Sequence, residues 1–223
     1  MLKNLIVSSA FIFIATAFSW ASSPIFDSEK SEKSTILFGA ATSAHQFEGG
    51  NTNNDWYEWE KTKHTRDESG IATDHWNRYM EDLNWAWLLG LDAYRMSLEW
   101  SRIEPKKDKF DEKALKHYIR VLRYAKLLGL KTYVTIHHFT NPIWFAEKGG
   151  WQNKDAVSDF TSYTKMVVSA LDPKLVDYWI TVNEPNVTAL AGYAVGLAPP
   201  GKKDILTAAE VYANLLQAHA AAY

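Results

Sequence analysis

A short segment of this chain occurs twice, at the junction between a predicted helix and a predicted strand. Leu-Leu-Gly-Leu at 88–91 is followed by Tyr94, and the same four residues at 127–130 are followed by Tyr133. In each copy the glycine ends an amphipathic run of helical period and precedes an apolar run. A repeat of this size indicates that one α/β unit is used more than once.

Hydrophobic patterning extends this alternation over most of the chain. Apolar, β-branched or aromatic runs predict strands at 36–41, 91–98, 130–136 and 176–183. Amphipathic segments predict helices at 74–89, 111–128 and 155–170, and a capping box at 207–210 predicts the start of a fourth. The long polar segment 51–70 is predicted to be an extended loop with short helical pieces.

Strands that alternate with helices form parallel α/β sheets. Two architectures stay open at this point, a doubly wound sheet and a (β/α)8 TIM barrel. The sequence has neither a Gly-x-Gly-x-x-Gly fingerprint nor a Walker loop, which weakens the nucleotide-binding interpretations. Because a barrel needs eight strand–helix units and four are found, we predict that residues 35–223 form the first half of a barrel.

Composition excludes several classes of protein. The 223 residues carry a net charge of −2 without a basic block, which argues against nucleic acid as the main partner. The chain has no cysteine, so disulfides, thiolate metal sites and an acylated lipoprotein cysteine are excluded. Hydrophobic residues make up 47% of the sequence, enough for one large core or two small ones.

Residues 1–22 are predicted to be a cleavable signal peptide. Lys3 supplies a short positive region, 5–18 is apolar, and Ser19-Trp20-Ala21 resembles a small-x-small cleavage site. The apolar run is short for a bilayer, so no stable membrane anchor is expected, and a buried helix or an uncleaved anchor is the alternative. Residues 23–34 predict a flexible leader. The mature protein is therefore expected to be exported, to the periplasm or the cell exterior.

Chemically versatile side chains stand in or just after each predicted strand, at the end where a barrel places its chemistry. In chain order these residues are Gln46, Arg95, Glu99, Arg102, His137, His138, Asn183 and Glu184. A barrel would bring them to one rim. Arg95 lies within a strand and is expected to have a carboxylate partner, either a surface acid or a site carboxylate that it keeps ionised.

The adjacent histidines His137 and His138 suggest a metal site at first sight. Neighbouring residues on a strand face opposite sides of the sheet, so the two imidazoles do not easily bind one ion. No metal and no cofactor is therefore expected. We predict that one histidine lines the site and the other packs behind it.

The apolar run before Asn183-Glu184-Pro185 distinguishes this Glu-Pro pair from an ordinary solvated loop acid. Pro185 cannot join a ladder, so the strand is expected to end at Asn183 or Glu184. A rim of amide, imidazole, carboxylic acid and indole groups suits a neutral, polyhydroxylated ligand such as a sugar. Hydrolysis of a glycosidic bond needs two carboxyl groups, one of them protonated at working pH.

Five stretches in order resemble the N-terminal half of glycoside hydrolase family 1, the β-glucosidase family. They are FGAATSAHQFEG at 38–49, YRMSLEWSRI at 94–103, VTIHHF at 134–139, GGW at 149–151 and TVNEP at 181–185. The resemblance implies a (β/α)8 barrel and retaining hydrolysis of β-glycosides. It also implies a β-glycoside substrate and a C-terminal half of the barrel that this sequence does not contain.

The same resemblance implies roles for individual residues. Glu184 would be the general acid/base, and Asn183 would contact the sugar 2-hydroxyl beside the cleaved bond. Gln46 and His138 would bind other hydroxyls of that ring, and Arg95 would lie near the nucleophile.

This sequence departs from the family pattern in three places. His45 stands where the family often has an aromatic residue, and Phe139 where it often has tryptophan. The nucleophile, a second glutamate in a Thr-Glu-Asn-Gly-like motif near the seventh strand, has no counterpart here. A catalytically inactive half barrel or broken-gene product is therefore one alternative. Another is a different barrel glycosidase such as an endoglucanase, although the stretches around Gln46 and His138 argue against it.

Overall fold

The computed structural model describes residues 36–62 and 65–223. The predicted signal peptide at 1–22 and almost all of the sequence before the first strand, including the leader at 23–34, lie outside the described residues. Every strand predicted from the sequence is present within them. The strands are β1 (Gly39–Ala41), β2 (Ala93–Ser97), β3 (Lys131–His137) and β4 (Tyr178–Val182).

Helices precede or follow each strand in the described residues. The α-helices are α1 (Ala44–Phe47), α2 (Asp55–Lys61), α3 (His75–Leu88), α4 (Trp100–Ile103), α5 (Glu112–Leu127), α6 (Ile143–Glu147), α7 (Ala156–Ala170), α8 (Pro185–Ala189) and α9 (Ile205–Ala222). Single turns of 3₁₀-helix lie at Gly150–Gln152 and Pro173–Leu175, and a π-helical segment, Leu190–Val195, follows α8. The four longest helices, α3, α5, α7 and α9, are those predicted from the sequence.

The four strands form one parallel sheet in the order β1-β2-β3-β4. Sequential, parallel neighbours joined by helices are the arrangement of a (β/α) barrel, whereas a doubly wound sheet reverses its strand order. Each of the two copies of the repeated segment lies at the end of a long helix and the start of the following strand, α3 to β2 and α5 to β3. The prediction of four units of a barrel is therefore confirmed, and we call this part a half barrel.

The core lies between the sheet and the long helices. Each of these helices buries one apolar stripe, including Leu83 of α3, Leu122 of α5, Val167 of α7 and Leu215 of α9, all 0% exposed. The indole of Trp100 stacks on Tyr163 with ring centroids 5.0 Å apart. This packing fixes the carboxyl ends of the strands, from which the site residues project.

The start of α9 differs from the sequence prediction. Asp204, not Thr207, is the N-cap: its carboxylate accepts a hydrogen bond from the Leu206 backbone N–H at 3.1 Å. Thr207 donates its hydroxyl to the same carboxylate at 2.6 Å. Asp204 thereby adds one more turn of helix than the capping box at 207–210 predicted.

Strand β4 forms an open edge of the sheet in the described residues. Tyr178 is 50% exposed, and the other strand residues are partly exposed. A groove of about 700 Å³ runs between β4 and α9, with Trp179, Val182 and Leu216 among its lining residues. Residues 36–62 and 65–223 include no helix that is both long and apolar enough to cross a membrane.

Candidate active site

Gln46 lies in α1, directly after β1. The backbone N–H of Ala44 donates to the Ser97 hydroxyl at 2.7 Å, which ties this turn to the end of β2. The hydroxyl of Ser43 donates to Oε1 of Gln46. The side chain of Gln46 is exposed, and within the described residues its amide N–H groups have no partner. The local structure thus orients the amide and leaves its donors available.

The two histidines at the end of β3 have different surroundings. His137 is 1% exposed, and its ring packs edge-on against Trp151 with centroids 5.2 Å apart. Burial lowers the pKa of His137 to about 4, and burial followed by the charge of Arg95 does the same for His138. Both rings are therefore neutral near pH 7. His138 lines a cavity and His137 packs behind it, as strand alternation predicts.

Arg95 reaches across the inner face of the sheet from β2. Its Nε donates to the Thr135 hydroxyl on β3 at 3.0 Å, and its Nη2 donates to Oδ1 of Asn183 after β4. The expected carboxylate partner is not found: no acid of the described residues lies within salt-bridge distance of Arg95. Two neutral oxygens accept its hydrogen bonds instead. The desolvation cost of the unpaired charge is limited because the arginine is only partly buried. Arg95 thereby fixes the amide of Asn183, which is 7% exposed.

Glu184 adopts a backbone conformation that non-glycine residues rarely take. Its φ of 43° and ψ of 62° place it in the left-handed region between β4 and α8, whose first residue is Pro185. This conformation costs about 1–2 kcal/mol for an ordinary residue and is typical of functional positions. The carboxylate is exposed and accepts no hydrogen bond from the described residues. The described residues do not enclose this carboxylate in apolar groups.

A cavity of about 230 Å³ opens at the carboxyl ends of β1 and β3. Gln46 and His138 both line it, together with aromatic residues and with Val187 and Thr188 of α8. Of the sequence-predicted site residues, Gln46 and His138 therefore share one cavity, and Asn183 and Arg95 share a hydrogen bond. Glu184 follows Asn183 in the chain and precedes α8, whose Val187 and Thr188 line the cavity.

Two residues assigned to the rim lie elsewhere. Glu99 is 1% exposed, and its carboxylate accepts the hydroxyls of Ser101 at 2.6 Å and Thr140 at 2.8 Å. Arg102 pairs with Glu48 at 2.8 Å and lies over the Trp76 ring at 4.1 Å. Both follow β2, Glu99 as the N-cap of α4 and Arg102 within that helix, and neither lines the cavity.

Several cavity residues were not identified from the sequence. His45, Trp56, Thr140, Asn141, Trp151 and Tyr193 all line the cavity. Trp56 lies on the short helix α2 and Asn141 in the loop after β3, and segments this short show no clear periodicity. One signal was available, because Asn54 followed by Asp55 is a helix start, and Asn54 does cap α2 through the Tyr57 N–H at 2.8 Å.

No metal centre is formed by the part of the chain that the structure describes. Within residues 36–62 and 65–223, no three His, Asp or Glu side chains are grouped so that they could hold a metal ion.

Comparison with known sequences identifies a family. The model of glycosyl hydrolase family 1 matches residues 29–223. Beta-glucosidase A of Acetivibrio thermocellus is 34% identical over 193 residues, which cover 82% of this chain and 43% of the relative. This chain thus spans less than half the length of that relative.

Solved structures give the same result. A beta-glycosidase from Pyrococcus horikoshii superposes with a TM-score of 0.78 at 39% identity, covering 84% of this chain and 44% of that protein. A beta-glucosidase from Thermotoga maritima, solved with a methoxycarbonyl-substituted glucoimidazole, has a TM-score of 0.80 at 33% identity and is covered to 46%. The half barrel described above corresponds to part of these proteins.

Proposed function

Because the chain belongs to glycosyl hydrolase family 1, we propose that it supplies the acid/base half of a retaining β-glycosidase of the β-glucosidase type. The observation that carries this proposal is the arrangement at the end of β4. Glu184 is held in a left-handed conformation beside Asn183, whose amide is fixed by Arg95. A strained acid next to an oriented amide is the arrangement expected of a general acid, which must lie close to the glycosidic bond of a bound sugar.

In the proposed reaction Glu184 protonates the glycosidic oxygen as the aglycone leaves. A carboxylate from the remainder of the barrel attacks the anomeric carbon and forms a glycosyl–enzyme ester. Glu184 then accepts a proton from water, and the resulting hydroxide breaks that ester with net retention. Asn183 would hold the 2-hydroxyl, and Gln46 and His138 would bind other hydroxyls of the same ring. A neutral His138 can both donate and accept, which suits a sugar hydroxyl.

Two features of the described residues favour a second candidate, a half barrel without activity of its own. The carboxylate of Glu184 is exposed, although a general acid is usually enclosed by apolar groups. The edge of β4 and its apolar groove are also uncovered. A C-terminal half would cover both and complete the site.

The test uses the full chain combined with the C-terminal half of the Thermotoga maritima beta-glucosidase named above, and we call this combination the completed barrel. Glu184→Gln is expected to slow hydrolysis of a disaccharide by about 10²–10⁴-fold, because proton transfer is lost. With an aryl glucoside that has a good leaving group, the rate of the first chemical step should fall much less. The matched control is Glu210→Gln, an exposed glutamate on α9. Equal rates for both variants on the disaccharide would assign the acid to another residue.

We also propose export of the protein after removal of residues 1–22. Support comes from Lys3, the apolar run and the Ser19-Trp20-Ala21 site alone. N-terminal sequencing of the mature protein is expected to begin near Ser22. A soluble cytoplasmic product that retains Met1 would contradict the proposal.

A further inference from the structure

Helix α2 lies across the candidate site, between two residues that line the cavity. These are Gln46, which follows β1, and His138, which follows β3. The helix has seven residues, from Asp55 to Lys61, and Trp56 on it lines the cavity. At about 1.5 Å per residue it spans roughly 10 Å. Its two ends make separate sets of hydrogen bonds, one to the loop after β3 and one to α1.

The first end is joined to the loop after β3 through Asp55. The Asn141 backbone N–H and side-chain amide donate to the two carboxylate oxygens of Asp55 at 2.9 and 2.7 Å. The Asp55 N–H donates back to the Asn141 carbonyl at 3.0 Å. Nε2 of His137 lies 3.0 Å from Oδ1 of Asn141. Asp55 is thus connected, through Asn141, to the residue that immediately precedes His138.

The second end is joined to α1 through Glu60. One carboxylate oxygen of Glu60 lies 2.9 Å from Nε2 of His45, and the other accepts the Ser69 backbone N–H and hydroxyl at 2.9 and 2.8 Å. The side chains of His45 and Glu60 are 9% and 7% exposed. Burial raises the pKa of Glu60, but these hydrogen bonds outweigh it and hold the pKa below its usual value.

The protonation pattern of His45 follows from its neighbours. Nδ2 of Asn54 donates to Nδ1 of His45 at 3.2 Å. The Asn54 amide cannot turn over without losing its cap bond, because its Oδ1 already accepts the Tyr57 N–H. His45 therefore carries its proton on Nε2 and donates it to Glu60. Since both ring nitrogens are engaged, His45 offers no hydrogen bond to a ligand, although it lines the cavity.

We propose that α2 is a clamp that positions Gln46 and His138 relative to one another, through His45–Glu60 at one end and Asn141–Asp55 at the other. His45 and Asp55 are then positioning residues, and the clamp selects sugars whose hydroxyls both Gln46 and His138 can reach. This inference rests on the proposed function. His45 is immediately followed by Gln46, so the bond to Glu60 acts on the backbone of a proposed sugar-binding residue.

The first test is structural and does not depend on catalysis. Nitrogen-15 spectra of the histidines in the completed barrel are expected to show His45 as a neutral imidazole protonated on Nε2. Glu60→Gln should disturb that signal and shift the side-chain amide resonance of Gln46. Glu58→Gln is the matched control, because Glu58 is an exposed acid on the same helix that pairs with Lys61. Unchanged His45 and Gln46 signals in Glu60→Gln would overturn the clamp.

The second test separates positioning from stability. For an aryl β-glucoside, Glu60→Gln is expected to lower kcat/KM by up to about 10²-fold, as a misplaced binding group does. The loss should shrink on the monodeoxy glucosides that lack a hydroxyl bound by Gln46 or His138. A loss of equal size on every deoxy sugar would mean a merely structural role and would overturn the proposal. If the unaltered completed barrel hydrolyses no glucoside, the proposed function fails, while the spectra still decide whether the clamp exists.

Discussion

The guanidinium group of Arg95 joins the inner face of β2 to the amide of Asn183 at the end of β4. Because the sheet order is β1-β2-β3-β4, the side chain crosses β3, where its Nε also donates a hydrogen bond to the Thr135 hydroxyl. One arginine therefore links β2, β3 and the residue that follows β4. The amide that it orients directly precedes the proposed acid/base, Glu184.

Replacing Arg95 by lysine should separate charge from geometry. Lysine keeps the cation but lacks the planar fork that reaches Thr135 and Asn183 together. We expect a loss of about 1–3 kcal/mol in the free energy of unfolding of the completed barrel and at least a tenfold fall in kcat/KM. Chemical denaturation and aryl glucoside kinetics measure the two quantities.

The control for Arg95→Lys is Arg78→Lys. Arg78 lies on the surface of α3 and pairs with Glu81, so its replacement is expected to change stability by less than about 0.5 kcal/mol. If Arg95→Lys behaves like this control in both assays, Asn183 is oriented by something other than Arg95.

The left-handed backbone of Glu184 predicts that replacing this residue by glycine relieves strain, although it removes the proposed acid. Glycine adopts positive φ without a steric cost, whereas alanine retains the strain that glutamate has at a φ of 43°. Glu184→Gly is therefore expected to be more stable than Glu184→Ala, by up to about 1 kcal/mol, while both are inactive on a disaccharide. Melting temperatures of the two variants provide the comparison. A more stable alanine variant would show that this conformation is not strained.

Glu48 predicts a pH dependence of stability. Its buried carboxylate accepts the Tyr118 hydroxyl at 2.8 Å and pairs with Arg102, yet burial outweighs both and raises its pKa from 4.5 to about 7. Between these two values the folded protein holds a proton that the unfolded chain has released. The stabilising contribution is thus complete below pH 4.5 and is lost as the pH rises to about 7, by roughly 3 kcal/mol.

Glu48→Gln removes the titrating group and is expected to flatten the decline between pH 5 and 7. Histidines buried as neutral rings, such as His137, act in the opposite direction, so the difference between variant and parent is the informative quantity. Denaturation of both proteins at several pH values gives that difference. Parallel curves would mean that Glu48 remains ionised throughout this range.

The order and type of the main elements were predictable because each follows from local pattern. Helices α3, α5 and α7 begin and end within one or two residues of the predicted limits. Asp111 caps α5 as predicted, and Gly90 and Gly129 follow the ends of α3 and α5. Strand β1 is shorter than predicted: only Gly39–Ala41 pair with β2, and Phe38 is 66% exposed. An apolar run predicts a strand, but the neighbouring strand decides how much of the run is paired.

The polar contacts of the candidate site were not predictable from one sequence. Asn141 and Asp55 are separated by 86 residues, and Arg95 and Asn183 by 88. Local propensity carries no information about such pairs, which appear only when the barrel brings strand ends together. Arg95 is an example. It was expected to need an acid partner because burying an unpaired charge is costly, but it is only partly buried and donates to two neutral oxygens.

These 223 residues alone are expected not to hydrolyse glycosides. Retention requires a nucleophile about 5–5.5 Å from the acid/base. The acids that follow β2, Glu99 and Glu104, are 1% and 3% exposed and are bound to neighbouring hydroxyl, indole and backbone groups, so neither is free to attack a sugar.

The open edge of β4 adds a second reason for inactivity. An exposed strand edge beside an apolar groove favours aggregation or pairing with a complementary half, so the chain on its own is also expected to be poorly soluble. The measurement is turnover of an aryl β-glucoside by residues 22–223, first alone and then combined with the same C-terminal half that is used in the completed barrel. Activity should appear only in the second case, and Glu184→Gln should lower it there. Robust turnover by the purified 22–223 chain, abolished by Glu99→Gln or Glu104→Gln, would place the nucleophile in this half and refute the division of the active site proposed above.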